Sequence, residues 1–246
     1  METTANTPVA GSPRAAVWED FIDIFYAPSA VFARRKNGSF LIPMVVVTLF
    51  VGVTFFFTAE TIRPIFDAEF NRAMAAAEAR STRPIPPEAI ANMREFSMNI
   101  GRIAVFVFMP LVIFLGGLAL WAAGKLLGAA LSVRAALVVV AYSQVPRMLE
   151  SVVNGVQGVI LDPASLDGMF RLTLGVGRFL DPDTTSPLLV VFAGPLDLFS
   201  LWVTALVAIG LSVAGGITLS RAAIGAAVVW FVVNVLPRLY GALTQM

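Results

Sequence analysis

Five runs of about twenty apolar residues constrain this chain more than any other feature, because that is the length a helix needs to cross a ~30 Å hydrocarbon layer. They fall at about 40–58, 103–123, 135–157, 196–217 and 222–240. Inside lipid a backbone must satisfy its own polar groups, so each run is expected to be a helix. The fold class expected is all-α: a polytopic membrane protein with five transmembrane helices plus amphipathic interfacial helices. The balance of 58% hydrophobic against 13% charged residues, with a mean hydropathy of +0.83, suits a bilayer and not a soluble domain.

Missing residue types narrow the chemistry. The 246 residues include neither His nor Cys. Thiolate nucleophiles, disulfides, Ser-His-Asp triads and zinc sites built on Cys or His are therefore excluded. No glycine-rich phosphate loop and no carboxylate-rich metal cage is present, so no catalytic residue, no metal and no cofactor is assigned. Asp167-Gly168-Met169-Phe170-Arg171 resembles the start of a phosphatidyltransferase metal motif, but it lacks the Ala before Arg and the later paired aspartates. A net charge of +1 gives no case for nucleic acid.

The third run is the unusual one. Read as a helix, Ser143, Arg147, Glu150, Asn154 and Gln157 recur at spacings of four, three, four and three, which places them on one face. Tyr142 and Gln144 flank the start of that stripe. Pro146 removes a backbone donor, so a kink is expected there. A charge pair near mid-membrane is costly against lipid, so the stripe is expected to face other helices or a wet cavity. Three uses stay open: polar glue within the bundle, a lipid-headgroup or substrate site, and a proton or ion path. Asp197, Asn234 and Arg238, at the ends of the fourth and fifth runs, are the candidate partners of the stripe. Asp197 could equally cap its own helix, and Arg238 could snorkel to the interface.

Around the runs, residues 1–16 are expected to be disordered and 17–241 to form one membrane domain. In Val17–Tyr26, Trp18, Phe21, Ile22 and Phe25 fall at i, i+3, i+4 and i+7 with Glu19, Asp20 and Asp23 off that face, which suggests an amphipathic helix anchored at the membrane surface. Asn37-Gly38-Ser39 fits a glycosylation pattern but lies on the expected cytoplasmic side. Ala59–Arg102 reads as a helical hairpin whose second arm, opened by Pro86-Pro87-Glu88, runs straight into the second span. Leu166–Leu180 reads as an interfacial helix, and Leu188–Phe192 is too short to span. Ala208, Ser212 and Gly216 form a small-residue stripe suited to close helix contact. Arg34, Arg35, Lys36, Lys125, Arg134 and Arg221 cluster at one set of ends, which puts the N-terminus in the cytoplasm and the C-terminus outside. Gly128–Leu137 echoes Gly216–Ile224, each entering a span that carries a Pro-Arg pair, Pro146-Arg147 and Pro237-Arg238. This echo suggests the second and third spans and the fourth and fifth as parallel repeats.

Asp23–Phe32 (DIFYAPSAVF), Ala141–Pro146 (AYSQVP) and Asp197–Trp202 (DLFSLW) together resemble the bacterial Yip1-domain family. The resemblance covers roughly Trp18–Gly241, and Tyr142, Ser143, Pro146, Asp197 and Trp202 match its third- and fourth-span patterns. It implies a five-helix membrane protein of the bacterial inner membrane without catalytic residues. Only two of the seventeen basic residues are Lys, a usage that points toward a GC-rich bacterial genome. Eukaryotic relatives are linked to vesicle trafficking and Rab GTPases, machinery that bacteria lack. The function expected is therefore a non-catalytic scaffold that binds membrane lipids, other membrane proteins or a second copy of itself. The alternative is a small transporter or channel-like protein using the polar face of the third span.

Overall fold

The computed structural model describes residues 16–81, 85–181 and 183–245. The segment expected to be disordered lies outside them, apart from Ala16. Described residues form helices and no strand. In chain order these are α1 (Asp20–Asp23), α2 (Pro28–Arg35), α3 (Leu41–Thr58), α4 (Arg63–Arg80), α5 (Pro87–Leu126), α6 (Val133–Ser143), α7 (Pro146–Ile160), α8 (Pro187–Ala193), α9 (Leu198–Gly215), α10 (Leu219–Trp230) and α11 (Leu236–Gln245). Five stretches are long and apolar enough to cross a membrane: α3, α5, α6 with α7, α9, and Leu219–Ala242.

α6 is the centre of the bundle. Every residue from Ala135 to Ser143 is buried, so the helix is apolar all round, as a core helix must be. Two neighbours approach it at glycines. A Cβ added at Gly117 of α5 would lie 2.5 Å from Leu137, and one at Gly210 of α9 would lie 2.4 Å from Val139. Lipid tails are as apolar as side chains, so close backbone contact of this kind holds membrane helices together. The stripe expected to do this on α9 was Ala208, Ser212 and Gly216. Ala208 is indeed buried, but Ser212 donates to the carbonyl of Ile217 at 2.7 Å and Gly216 is the helix cap.

Both short connections use the same device. Gly128 (φ 78°) and Gly216 (φ 67°) take the left-handed conformation that ends a helix without a Cβ clash. These are the first residues of the two echoed segments, and the connections touch: Ala130 N–H donates to the carbonyl of Gly215 at 2.9 Å. The guanidinium of Arg134 donates to the carbonyl of Gly38 at 2.8 Å, so the chain before the first span reaches the same end.

The kink expected at Pro146 takes the form of a two-residue turn within one span: α6 ends at Ser143, Gln144 and Val145 keep right-handed helical dihedrals, and Pro146 starts α7, where its missing N–H costs nothing. Two expectations are corrected. Leu166–Leu180 is not a helix. It holds only a 3₁₀ turn at Val176–Phe179, and it is pinned by Val176 N–H donating to Leu196 O (3.1 Å) and Leu198 N–H donating to Leu174 O (3.1 Å). Gly175 allows this approach, since a Cβ there would lie 2.1 Å from Leu196 O. In the N-terminal segment Asp20 and Ile24 are both 0% exposed and Phe21 packs against the core, while Trp18 is 64% and Ile22 53% exposed.

At the far end, α4 folds back on α5 as the expected hairpin. Arg94 donates to Asp67 and Asn71 at 2.7 Å each and lies 4.7 Å over the Phe70 ring. The second long segment is tied to this hairpin. Arg72 donates to Asp183 and to the carbonyl of Asp167, 2.7 Å each, and Met169 N–H donates to Glu69 at 2.9 Å. Beneath them Ile62, Ile65, Leu166 and Leu172 form a second apolar cluster.

Candidate functional site

The turn before Pro146 decides which polar side chains come together. On α7, Arg147, Glu150 and Asn154 keep their helical spacing and line a cavity of about 530 Å³. Gln144 joins them from the turn. Ser143, on the far side of the turn, is fully buried and its hydroxyl donates to the carbonyl of Val139 at 2.8 Å, so it leaves the stripe. Gln157 donates to Leu172 O at 2.8 Å and holds the second long segment. Tyr142 turns away from the cavity altogether.

The cavity has walls of two kinds. α3 and α5 contribute mainly apolar residues, among them Val51, Phe55, Phe108 and Val112. α7 and the last span contribute the charged and amide side chains, and α9 adds the hydroxyls of Ser200 and Thr204. Arg147 Nη1 donates to Glu150 Oε2 at 2.6 Å, with the side chains 22% and 16% exposed, so these two charges chiefly satisfy each other. In the last span Phe231–Val235 is one turn of π-helix between α10 and α11. Pro237 cannot donate to the chain behind it, and Asn234 Nδ2 donates to Trp230 O at 3.0 Å, so a side chain enters the backbone ladder. This π turn aims Asn234 and Arg238 at the cavity. Arg238 is an exposed residue that donates to the carbonyl of Asn234, and its side chain also contributes to the cavity lining. The indole Nε1 of Trp230, on the same wall, is buried without a partner among the described residues.

Asp197 is not the counter-ion of Arg147. Its carboxylate accepts from Phe199 N–H (2.9 Å) and Ser200 N–H (3.1 Å), and Ser200 Oγ lies 3.4 Å from Asp197 N in a reciprocal capping box.

A second polar cluster centres on Asp20, which helical spacing places only off the apolar face of its segment. Asp20 accepts from Arg34 Nε and Arg35 Nε, both at 2.6 Å, and from the Tyr142 hydroxyl at 3.1 Å. Phe21 rests on the Tyr142 ring with centroids 6.0 Å apart, and Phe25 meets Trp202 edge-on at 5.4 Å. Asp23 accepts from Tyr26 and Arg34, and those two hydrogen bonds, Tyr26 first, hold its carboxyl below the usual range. Burial works against the Arg34 charge, yet its bonds to Asp23 and Asp20 outweigh that and raise its pKa. The signal available was the pair Arg34-Arg35 close in sequence to an acid and a tyrosine in the central span. Among the described residues, no group of three or more acidic side chains is placed to hold a metal ion.

No curated protein and no solved structure matches the chain. A family model described as the Yip1 domain matches residues 22–237, which takes in the Asp23–Phe32 segment, both halves of the third span, the Asp197 cap and the π turn. With five membrane-spanning helices over that same range, the chain belongs to the Yip1-domain family.

Proposed function

We propose that this chain is a non-catalytic membrane protein that holds a bilayer lipid in its interior cavity and serves as a scaffold for other membrane proteins or a second copy of itself. The observation that carries this reading is the two-sided lining of the cavity: hydrocarbon from α3 and α5, polar groups from α7, α9 and the last span. Its volume of about 530 Å³ falls in the range typical of small-molecule sites. Glu150, the acid on its lining, is engaged by Arg147 and so is poorly placed to act as a base. The protein is assigned to the bacterial inner membrane, with the end that carries Arg34, Arg35, Lys36, Lys125, Arg134 and Arg221 in the cytoplasm. Trp18 and Ile22, exposed on the N-terminal segment, anchor it at the membrane surface.

Mass spectrometry of the protein extracted in mild detergent, together with flux measurements in proteoliposomes, tests the reading. A retained lipid with no solute or proton flux supports it. Flux through the purified protein would favour the transporter alternative, for which Arg147, Glu150 and Asn154 on one cavity wall are the motive. Reporter fusions after Lys125 and Arg221 are expected on the cytoplasmic side and one after Arg80 on the other; the reverse pattern overturns the orientation.

A further inference from the structure

The cavity wall formed by the last span has hydrogen-bond donors in excess of acceptors. Arg238, an exposed residue that reaches the cavity lining, spends one N–H on the carbonyl of Asn234, its only hydrogen bond among the described residues, and a guanidinium carries five. Trp230 Nε1 is a buried donor with no acceptor among the described residues. Arg147 gives one N–H to Glu150. Two guanidinium charges and one carboxylate leave this lining with one positive charge in excess. A buried donor without an acceptor is costly, and an arginine presents the fork that matches phosphate oxygens.

We propose that Arg238, with Trp230 Nε1 and Arg147, binds a phosphate-class anionic group, either the headgroup of a lipid whose chain lies along the α3–α5 wall or a free phosphate. The proposal rests on the lipid-cavity reading and adds the chemistry of the headgroup. Glu150 then competes with the ligand for Arg147, and removing its charge should tighten binding. A disrupted cavity would do the opposite, which separates electrostatics from damage.

The test is a native mass spectrometry titration in a non-ionic detergent with three probes: a lysophosphatidate, the monoacylglycerol of the same chain, and inorganic phosphate. Lysophosphatidate is expected to bind about tenfold or more tighter than monoacylglycerol, the range lost with one charge-assisted hydrogen bond. Arg238→Gln should erase that preference while leaving monoacylglycerol binding intact, and Glu150→Gln should strengthen it. Inorganic phosphate binding that is lost in Arg238→Gln supports the anion site and identifies a free phosphate as the source. Equal binding of lysophosphatidate and monoacylglycerol with no phosphate binding overturns the anion site and leaves the lipid cavity standing. No binding of any probe overturns both. A Glu150→Gln protein that binds lysophosphatidate more weakly than the native chain also overturns the proposal.

Discussion

Replacing Asp20 with Ala is expected to loosen the N-terminal segment from the bundle. The carboxylate is fully buried and receives three donors, from Arg34, Arg35 and Tyr142. Removing one member of a buried ion pair costs about 3–5 kcal/mol when the other charge is stranded. Here the guanidiniums are not fully stranded, since the Arg34 and Arg35 side chains are 27% and 24% exposed and Arg34 keeps Asp23. The Tyr142 hydroxyl is stranded, at about 1–3 kcal/mol for an unsatisfied buried group. The lower end of the ion-pair range, about 3 kcal/mol, is therefore expected, equivalent to about 6–12 °C in melting temperature for a chain of this size. Tyr142→Phe removes one neutral donor and leaves the two arginines on Asp20, so about 1 kcal/mol is expected. Thermal unfolding in detergent gives the magnitudes, and the rate of protease cleavage near Arg34 shows which segment moves. If Asp20→Ala melts within about 2 °C of the native protein, or if Tyr142→Phe costs as much, the carboxylate is not the hub of the cluster.

Three further outcomes follow from other contacts. Gly210→Ala would drive a methyl to 2.4 Å from Val139 and 3.2 Å from Phe32, and a melting scan should show a loss of about 1–3 kcal/mol; Gly116→Ala, whose methyl would meet Val140 at 3.4 Å and Val233 at 3.9 Å, should cost less. Arg147→Leu and Glu150→Leu should each lower the melting temperature, with the double change recovering part of the loss; damage equal to the sum of the singles would refute their mutual pairing. The hydrogen bonds from Arg171 and Arg72 hold the Asp167 and Asp183 carboxyls below their usual range, so their contribution is complete above about pH 4 and is lost as pH falls through the lowered values, a loss that hydrogen exchange of residues 162–181 should report and Arg72→Ala should reduce.

The spans were readable because lipid imposes length and apolarity on any helix that crosses it. The stripe was half readable. Spacing found Arg147, Glu150 and Asn154, but Pro146 starts a new helix, and a phase carried across it misplaced Ser143. Leu166–Leu180 has helical composition, yet its backbone is paired with Leu196 and Leu198, partners that local pattern cannot supply. Asp20 was the largest miss. A charge beside an apolar face is ordinarily solvated, and its burial depends on Tyr142, more than a hundred positions away. Arg238 is legible as a candidate partner of the stripe, but the π turn at Phe231–Val235 that brings it to the cavity is not a periodicity the sequence displays.

α5 runs unbroken for 40 residues, about 60 Å, twice the thickness of the hydrocarbon layer. About half of it is therefore in excess of one crossing, and this extension, a mast in form, is braced by α4 through Arg94 and Asp67. Its one interior proline, Pro110, removes a rung at the level where Phe108, Met109 and Val112 form the cavity wall. A sideways load on the mast is carried down a stiff rod to that joint. With an arm of roughly 30 Å, a tilt of about 5° at Pro110 moves the tip by about 2–3 Å. Whatever grips the projecting tip thus pulls on the same joint that sets the width of the cavity.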